Sequence, residues 1–372
     1  MHKLSFWIFL LPLTLQNQAF SLESKLKQLS LPPGFSIEHY ATGITNARQI
    51  DQGPDQILFA GSRSAGNVYR VLPPVDQKPP KVEIIDQNLK MPSGLTFHNN
   101  ALYVADIDTV YRFTSPSGTF KDKLIRKVFI SGLPSDRHHG WKFIKFGPDN
   151  HLYVPVGAPC NVCLEKDPRY ATILRFSPDG KSWEIYASGV RNSVGFDWHP
   201  TRKTLWFTDN GRDLLGDHLP PDKLNHAWRK GLHFGFPWYH GLNKSGKAIL
   251  DPFYKTPPKD LSISKSALHL PAHVAPLGMV FYTGTMFPKK YQQQILIPEH
   301  GSWNSSKKVG YRVTLATLDS NQKVTSYEPF ISGWTKNEEA WGRPVALLNL
   351  PDGSLLLSDD DADVIYRITY KK

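Results

Sequence analysis

Two adjacent histidines, His138 and His139, stand in the polar stretch DRHHGWK, one loop ahead of the apolar run LYVPVG. An imidazole changes its charge near neutral pH, so a histidine held beside a buried strand can act as a general base. Surface histidines are more often inert, and the pair alone does not decide between these readings. His300, in PEHGSWN, also follows an apolar run directly.

Polar residues suited to anions and cations stand beside other strand-like runs. Arg191 and Asn192 occur in GVRNSVGFDWHP, and Arg343 occurs in WGRPVALLNLPDG. Arginine offers a planar fork for carboxylates, and asparagine offers both a donor and an acceptor. The loop TDNGRDLLGD contains Asn210 and Asp213, with the oxygen ligands that Ca²⁺ prefers. It lacks the full EF-hand order, and such residues also satisfy backbone amides in ordinary turns.

A scaffold that gathers these distant residues is indicated by a repeated pattern. A turn rich in Asp, Pro, Asn or Gly, followed by a short strand-like run, recurs six times. The copies are GPDQILFAG (53–61), FHNNALYVAD (97–106), FGPDNHLYVPVG (146–157), WHPTRKTLWFTDNG (198–211), YQQQILIPEHG (291–301) and LPDGSLLLSDD (350–360). Degenerate repeats of short strands are typical of propeller blades. The sequence therefore predicts an all-β protein, a six-bladed β-propeller, with ligands bound at one mouth.

One propeller domain is expected over residues 31–372. The strand-like FSIEHYATGI near its start and VIYRITY at its end can share a blade and close the ring. The larger gap between the fourth and fifth repeats leaves room for an insertion that overhangs one face. Long loops of this kind are usually functional.

The N-terminus has the features of an export signal. Lys3 precedes an apolar run from Leu4 to Leu15, and Ala19 is a small residue at which cleavage can occur. We therefore expect a signal peptide over residues 1–19 and a periplasmic or secreted protein. No later apolar stretch approaches the length of about 20 residues that a membrane-spanning helix needs, so a membrane-spanning protein is not expected.

The two cysteines indicate a disulfide, and the net charge narrows the kinds of molecule that the protein can bind. The two cysteines, Cys160 and Cys163 in APCNVC, favour a local disulfide over free thiols in an oxidising compartment. The net charge of +11 can attract an anionic ligand, an acidic protein or an anionic envelope surface. Lysines and arginines are scattered and no nucleic-acid motif occurs, so nucleic acid is not an expected partner.

At these residues the sequence resembles the PQQ-dependent soluble sugar dehydrogenases, and most nearly their L-sorbosone dehydrogenase branch. The resemblance runs from LPPGFSIEHYA to the C-terminus. It is carried by GVRNSVGFDWHP, DNGRDLLGDHLPPDKLN, APLGMVFYTGTMFP, PEHGSWN, GYRV and WGRPVALLNLPDGSLLLSDDDADVIYRITY. The family fold is a six-bladed propeller, in agreement with the repeat count.

The resemblance implies a pyrroloquinoline quinone (PQQ) over the central channel, with a Ca²⁺ ion beside it. His139 matches the general base, and an unperturbed imidazole there predicts activity that rises with pH near 6.5. Expected cofactor-binding residues are Arg191, Asn192, Arg343, Lys142 and His300. Expected metal-binding residues are Gly211 and Arg212, through their carbonyl oxygens, with Asn210 and Asp213 beside them.

Three positions depart from the family pattern. His138 stands where soluble glucose dehydrogenase is expected to carry an aspartate before the base. Lys142 stands where the sorbosone branch tends to carry arginine, so the charge is kept and the planar fork is lost. Trp341 stands where a second carboxylate-binding arginine is expected. The choice of substrate therefore cannot be carried over from the family.

Three functions are compatible with these observations. The first is an exported dehydrogenase that oxidises an aldose or related small sugar by hydride transfer to PQQ, with Ca²⁺ assistance and an electron acceptor that the sequence does not identify. The second is a Ca²⁺-dependent lactonase or esterase on a similar propeller. The third is a non-enzymatic propeller that binds glycans or proteins.

Overall fold

A computed structural model describes residues 23–76, 78–242, 245 and 247–372. The predicted signal peptide, residues 1–19, lies outside the described residues. Within the described part of the chain, no helix has the length and apolar character needed to cross a bilayer.

Short strands make up nearly all of the regular structure. In chain order they are β1 (Phe35–Thr42), β2 (Ala47–Gln52), β3 (Leu58–Ser62), β4 (Val68–Leu72), β5 (Lys81–Asp86), β6 (Gly94–His98), β7 (Ala101–Ala105), β8 (Thr109–Thr114), β9 (Ile125–Ser131), β10 (Lys145–Phe146), β11 (Leu152–Val156), β12 (Thr172–Phe176), β13 (Trp183–Ser188), β14 (Phe196–Trp198), β15 (Leu205–Asp209), β16 (Asp222–Ala227), β17 (Leu232–His233), β18 (Tyr239–Leu242), β19 (Ala248–Leu250), β20 (Leu268–Leu270), β21 (Val280–Phe281), β22 (Ile295–Glu299), β23 (Arg312–Leu318), β24 (Val324–Ile331), β25 (Thr335–Lys336), β26 (Glu339–Ala340), β27 (Pro344–Asn349), β28 (Leu355–Asp359) and β29 (Val364–Tyr370). Single turns of 3₁₀ helix occupy Pro54–Gln56 and Lys289–Tyr291.

Six antiparallel sheets form the blades, which confirms the predicted all-β, six-bladed propeller. Blades 1, 2, 3 and 5 are β2–β5, β6–β9, β10–β13 and β21–β24. Blade 4 is β14, β15, β16 and β20, and blade 6 is β27, β28, β29 and β1. Each of the six sequence repeats contains the second strand of one blade: β3, β7, β11, β15, β22 and β28.

The two ends of the chain meet in blade 6. Strand β1 pairs with β29 along its length, from Phe35 opposite Tyr370 to Thr42 opposite Val364. This closes the ring, so each of the six blades lies between two others.

The hydrophobic core lies between the blades. Six clusters of buried side chains each join one blade to the next; the cluster between blades 1 and 2, for example, contains Phe59, Leu95 and Phe113. A seventh, smaller cluster joins Val194, Leu277, Val345 and Ala346 near the inner strands. Because every blade packs on two others, the relative positions of the strand ends are fixed.

The predicted insertion between the fourth and fifth repeats adds strands to the propeller. Strand β17 pairs in parallel with β13 of blade 3, β18 and β19 form a separate hairpin, and β20 completes blade 4. In the loop after β11, Cys160 and Cys163 are joined by the favoured local disulfide.

Candidate active site

One mouth of the propeller collects the candidate residues, because neighbouring strands within each blade are antiparallel. In such a pair the start of the inner strand lies beside the end of the second strand. In blade 6, for example, Pro344 at the start of β27 pairs with Asp359 at the end of β28. Residues at the starts of inner strands therefore lie close to residues at the ends of second strands.

Buried aspartates hold several of these entry segments in place. They stand at or just after the ends of second strands, in the phrases VAD, FTD and LSD. Each accepts a hydrogen bond from a backbone amide ahead of its own inner strand, at 2.6–2.9 Å: Asp106 from Met91, Asp209 from Asn192 and Asp359 from Arg343. A buried carboxylate that lost these donors would be left unsatisfied, so the contacts fix the backbone at the mouth.

A cavity of about 330 Å³ opens at this mouth. Eight of the ten predicted site residues line it: His139, Arg191, Asn192, Asn210, Gly211, Asp213, His300 and Arg343. The other lining residues are Arg48, Arg63, His138, Trp141, Asp222, His273, Ala275, Leu277, Gly301 and Trp303.

His139 is held in one position by the end of β11. Its Nδ1 lies 2.7 Å from the carbonyl oxygen of Ala158, and the residue is only 7% exposed. A Cβ atom at Gly157 would lie 2.7 Å from the Cβ of His139, so the close approach requires glycine there. The backbone of His139 has a φ of 52°, an uncommon conformation for a residue with a side chain.

The contact with Ala158 determines the proton arrangement of the His139 ring. A carbonyl oxygen can only accept, so Nδ1 carries the proton and donates it. In the neutral ring Nε2 then keeps its lone pair, which is the arrangement that a general base needs. Burial lowers the pKa of His139 well below its ordinary value of 6.5, and the charges of Arg191 and His138 act in the same direction.

The predicted rise of activity near pH 6.5 assumed an unperturbed imidazole, which this burial contradicts. We expect the His139 ring resonances of the protein without cofactor to remain those of a neutral imidazole through pH 6.5, the ordinary midpoint. An NMR titration of the histidine ring protons measures this, and the spectrum of H139Q identifies the resonance. A midpoint at 6.5 or above would show that the ring is not buried as described.

The cavity lining carries an excess of positive charge. Arg48, Arg63, Arg191 and Arg343 line it, against the carboxylates of Asp213 and Asp222. Burial raises the pKa of Asp222 to about 7, which further reduces the negative charge. An anionic ligand with several carboxylates suits such a lining.

Two of the arginines retain donors for a ligand. Arg343 donates from Nε to the carbonyl oxygen of His300 at 3.0 Å and from Nη2 to that of Gly301 at 2.7 Å. Within the described residues, its Nη1 makes no hydrogen bond and its guanidinium has no carboxylate partner. The exposed Arg63 lies 5.6 Å over the ring of Trp141. Among the same residues, its side chain has no hydrogen-bond partner and no carboxylate partner.

Asn192 has an unused side-chain amide. The residue is 5% exposed, and its main-chain N–H is taken by Asp209. Across the described part of the chain, no hydrogen bond is made by its side-chain amide, which leaves both the donor and the acceptor for a ligand in the cavity.

Arg48, Asp360 and His300 form a buried network that joins the two ends of the chain. Asp360 Oδ2 lies 3.0 Å from Arg48 Nη1, and its Oδ1 lies 2.7 Å from His300 Nε2. Burial alone would raise the pKa of Asp360, but these two partners hold it below its usual value. Burial also lowers the pKa of His300 to about 4, so His300 is neutral near pH 7.

The loop after β15 presents oxygen atoms to the cavity. Arg191 Nη1 donates to the carbonyl oxygens of Asn210 and Gly211, at 3.2 and 2.7 Å. Asp222 holds the same loop by accepting from the N–H of Gly211 at 2.6 Å. The Asp213 carboxylate lies 3.6 Å from both Arg191 Nη2 and His273 Nδ1.

These carbonyl and carboxylate oxygens fit a Ca²⁺ ion in type. Nowhere in the described residues do three or more His, Cys, Asp or Glu side chains cluster as a metal site. A Ca²⁺ ion here would therefore depend on backbone carbonyls, and it would share those of Asn210 and Gly211 with Arg191.

Two predicted residues do not line the cavity. Lys142 is 2% exposed, its Nζ donates to the carbonyl oxygen of Gly140 at 2.7 Å, and burial lowers its pKa to about 8. The prediction of a cofactor contact from Lys142 is therefore not supported by its position. The side chain of Arg212 is buried against Asp251, so only its carbonyl oxygen remains for the metal role expected of it.

Several lining residues were not among the sequence predictions, and some left a signal. Arg48 lies at the start of the first inner strand, and Arg343 lies in the similar place just before the last one. A search for basic residues ahead of every repeat would therefore have found Arg48. Asp360, which binds the lining residues Arg48 and His300 without lining the cavity itself, belongs to the run DDD that begins at the last residue of β28. Arg63, Trp141 and Trp303 belong to no repeated phrase, and only the folded chain brings them to the cavity.

Comparison with known proteins agrees with this geometry. The sequence model of the glucose / sorbosone dehydrogenase family matches residues 110–366. A relative from Borreliella burgdorferi, named only as an uncharacterized protein, is 36% identical over 357 residues, which cover 92% of this chain and 91% of that protein.

Solved structures show the same fold at low sequence identity. The calcium structure of a Trichoderma reesei carbohydrate-active enzyme of family AA12 has a TM-score of 0.78 and 17% identity, over 92% of this chain and 97% of that one. The holo form of the PQQ domain of a Coprinopsis cinerea pyranose dehydrogenase has a TM-score of 0.73 and 17% identity, with the same coverage. The PQQ-bound aldose sugar dehydrogenase of Streptomyces coelicolor has a TM-score of 0.64 and 19% identity, over 92% of this chain and 100% of that one.

Proposed function

The chain belongs to the glucose/sorbosone dehydrogenase family, and from that premise we propose that it is an exported quinoprotein that oxidises an aldose or related sugar. PQQ and Ca²⁺ are its cofactors in this proposal. The observation that carries it is one cavity that combines an excess of arginine with a histidine whose Nε2 lone pair is free.

The arginines would bind and orient the anionic cofactor. Arg343 and Arg63 have donors available for carboxylate oxygens, and the amide of Asn192 can bond a carbonyl or ring nitrogen. Arg48 and Arg191 add positive charge but have partners already, so they would act mainly through the field that they create. Asn210, Gly211 and Arg212 would hold Ca²⁺ through their carbonyl oxygens, with the carboxylate of Asp213 beside them.

Proton removal falls to His139. Its Nε2 can take the hydroxyl proton of the sugar, while Nδ1 remains bonded to the Ala158 carbonyl oxygen and keeps the ring in place. When bound, PQQ supplies the hydride acceptor and Ca²⁺ polarises its reactive carbonyl. The low pKa of His139 keeps the ring unprotonated before the reaction, and the proton it gains would pass to solvent at the cavity mouth.

Aromatic side chains suit a sugar at the mouth. Trp303 is 76% exposed although it lines the cavity, and a flat apolar face that reaches solvent can pack against a sugar ring. Trp141 also lines the cavity, with its ring 5.8 Å from that of His139 in an edge-on arrangement.

Equilibrium titration of PQQ into the purified protein, with and without Ca²⁺, tests the proposal. We expect saturable binding of one PQQ for each chain, tighter with Ca²⁺, and no hydrolysis of sugar lactones in the absence of PQQ. Lactone hydrolysis without PQQ would favour the lactonase alternative. Failure to bind PQQ, together with binding of glycans or proteins, would favour the non-enzymatic one.

A further inference from the structure

The loop closed by the Cys160–Cys163 disulfide lies beside the cavity without lining it. It follows β11, and Ala158, which lies between that strand and the disulfide, supplies the carbonyl that holds His139. The N–H of Ala158 donates in turn to the carbonyl oxygen of Arg191 at 2.8 Å. The segment therefore contacts two of the predicted site residues before the disulfide begins.

Inside this loop, Asn161 contacts two residues of the cavity. Its main-chain carbonyl accepts from Arg191 Nε at 2.8 Å, and its side-chain Oδ1 accepts from Arg191 Nη2 at 3.1 Å. The same Oδ1 accepts from the N–H of Asp213 at 2.8 Å, and Nδ2 donates to the Asp213 carbonyl at 3.1 Å. One side chain thus connects the segment before β14 to the loop after β15.

Together with other contacts of Arg191, these hydrogen bonds join the disulfide loop, Arg191 and the loop after β15 to one another. Arg191 already donates to the carbonyl oxygens of Asn210 and Gly211. Without the Asn161 side chain, the Nη2 donor of Arg191 and the N–H of Asp213 lose their acceptor. The two segments then remain joined at Asn210 and Gly211, through Arg191 and through the bonds from Asn210 to the Asn192 carbonyl oxygen, but no longer by hydrogen bonds at Asp213. Hydrogen bonds to a charged group are among the stronger ones in proteins, so this loss should be measurable.

The disulfide limits the conformations open to Asn161. It joins residues three positions apart, and Asn161 lies within that small ring. The covalent ring restricts the loop in advance, so less conformational entropy is lost when Asn161 is held in its bonded position.

We propose that Asn161, held in the disulfide-closed loop, is a positioning residue that fixes Arg191 to the loop of Asp213 and thereby strengthens cofactor binding. This inference rests on the proposed function for its cofactor part. The contact with Asp213 can be tested without any cofactor.

Amide hydrogen exchange in the protein without cofactor tests that contact. In N161A we expect the amide of Asp213 to exchange at least about tenfold faster than in the wild type, because its acceptor is removed. The amide of Gly211, which donates to Asp222, is the internal control and should change by less than about twofold. An unchanged rate at Asp213 would overturn the inference.

PQQ titration tests the consequence for the cofactor. We expect N161A to raise the dissociation constant about tenfold, since Arg191 and the Asp213 loop are then no longer held in the positions that bind the cofactor. N161D keeps the Oδ1 acceptor and should bind more tightly than N161A, while V162A, in the same ring, should bind like the wild type. Equal affinities for N161A and the wild type would overturn the cofactor part.

Combined substitutions test the role of the disulfide. We expect the double variant C160S/C163S to bind PQQ about three- to tenfold more weakly, and the triple variant with N161A to be no weaker than N161A alone. Fully additive effects would contradict a disulfide that acts through Asn161. If the wild type binds no PQQ, the proposed function and the cofactor part fail together, and the exchange rates alone decide whether Asn161 holds Asp213.

Discussion

H139Q is expected to lose about 10²- to 10⁴-fold in the rate at which sugar reduces bound PQQ, because glutamine cannot take a proton from the sugar hydroxyl. Glutamine preserves polarity and approximate size, so folding and PQQ affinity should change little. Stopped-flow absorbance of the bound quinone after mixing with sugar measures the rate.

His138 provides a control one residue away with the same chemical change. It also lines the cavity, but it is exposed, and no hydrogen bond links its ring to another described residue. H138Q should therefore slow the reaction by less than about tenfold. A dead H138Q with an active H139Q would mean that the neighbouring histidine is the base, and full activity in both variants would exclude a histidine base.

R343A is expected to raise the dissociation constant of PQQ about tenfold or more, since a charge-assisted hydrogen bond contributes about 1.5 to 3 kcal/mol. Arg343 is a cleaner choice than Arg191, whose three guanidinium nitrogens all have partners in the protein. R343K keeps the charge and loses the planar fork, so it should fall between R343A and the wild type. Isothermal titration of PQQ measures all three.

The matched control for lost charge is R202A. Arg202 is exposed in the turn between β14 and β15, away from the cavity lining, and its removal lowers the net charge by the same amount. R202A should bind PQQ like the wild type. If R343A and R202A weaken binding equally, the net charge of the protein matters and the specific contact does not.

The sequence predicted the propeller because each blade repeats a local pattern. A turn and a buried second strand recur in every copy, so the number of blades can be counted without knowledge of long-range contacts. The predicted pairing of the two chain ends also depended on local strand patterns, and it appears as β1 against β29.

The parts of the site that sequence analysis missed depend on contacts between distant residues. Arg48 and Asp360 are 312 positions apart and meet only because the ring closes in blade 6. Lys142 was assigned because it stands where the family tends to carry arginine, but its side chain is buried and donates to the Gly140 carbonyl oxygen. Neighbouring residues in a loop can point to opposite sides, and neither their charge nor their spacing in the sequence shows which of them faces the cavity.

The pKa of His139 could not have been predicted from the sequence either. It depends on how closely Gly157 and Ala158 cover the ring, and on Arg191, which comes from the next blade. The tautomer likewise follows from one backbone carbonyl, that of Ala158, just after β11.

The measurement that most directly tests the account is the absorbance of PQQ bound to the protein with Ca²⁺, followed without oxygen as a panel of aldoses is added. We predict that at least one aldose bleaches the oxidised quinone completely, with about one sugar oxidised for each protein chain, and that H139Q with the same bound PQQ stays oxidised over that time. Bound PQQ that no aldose reduces, or equal bleaching in H139Q, would contradict the account.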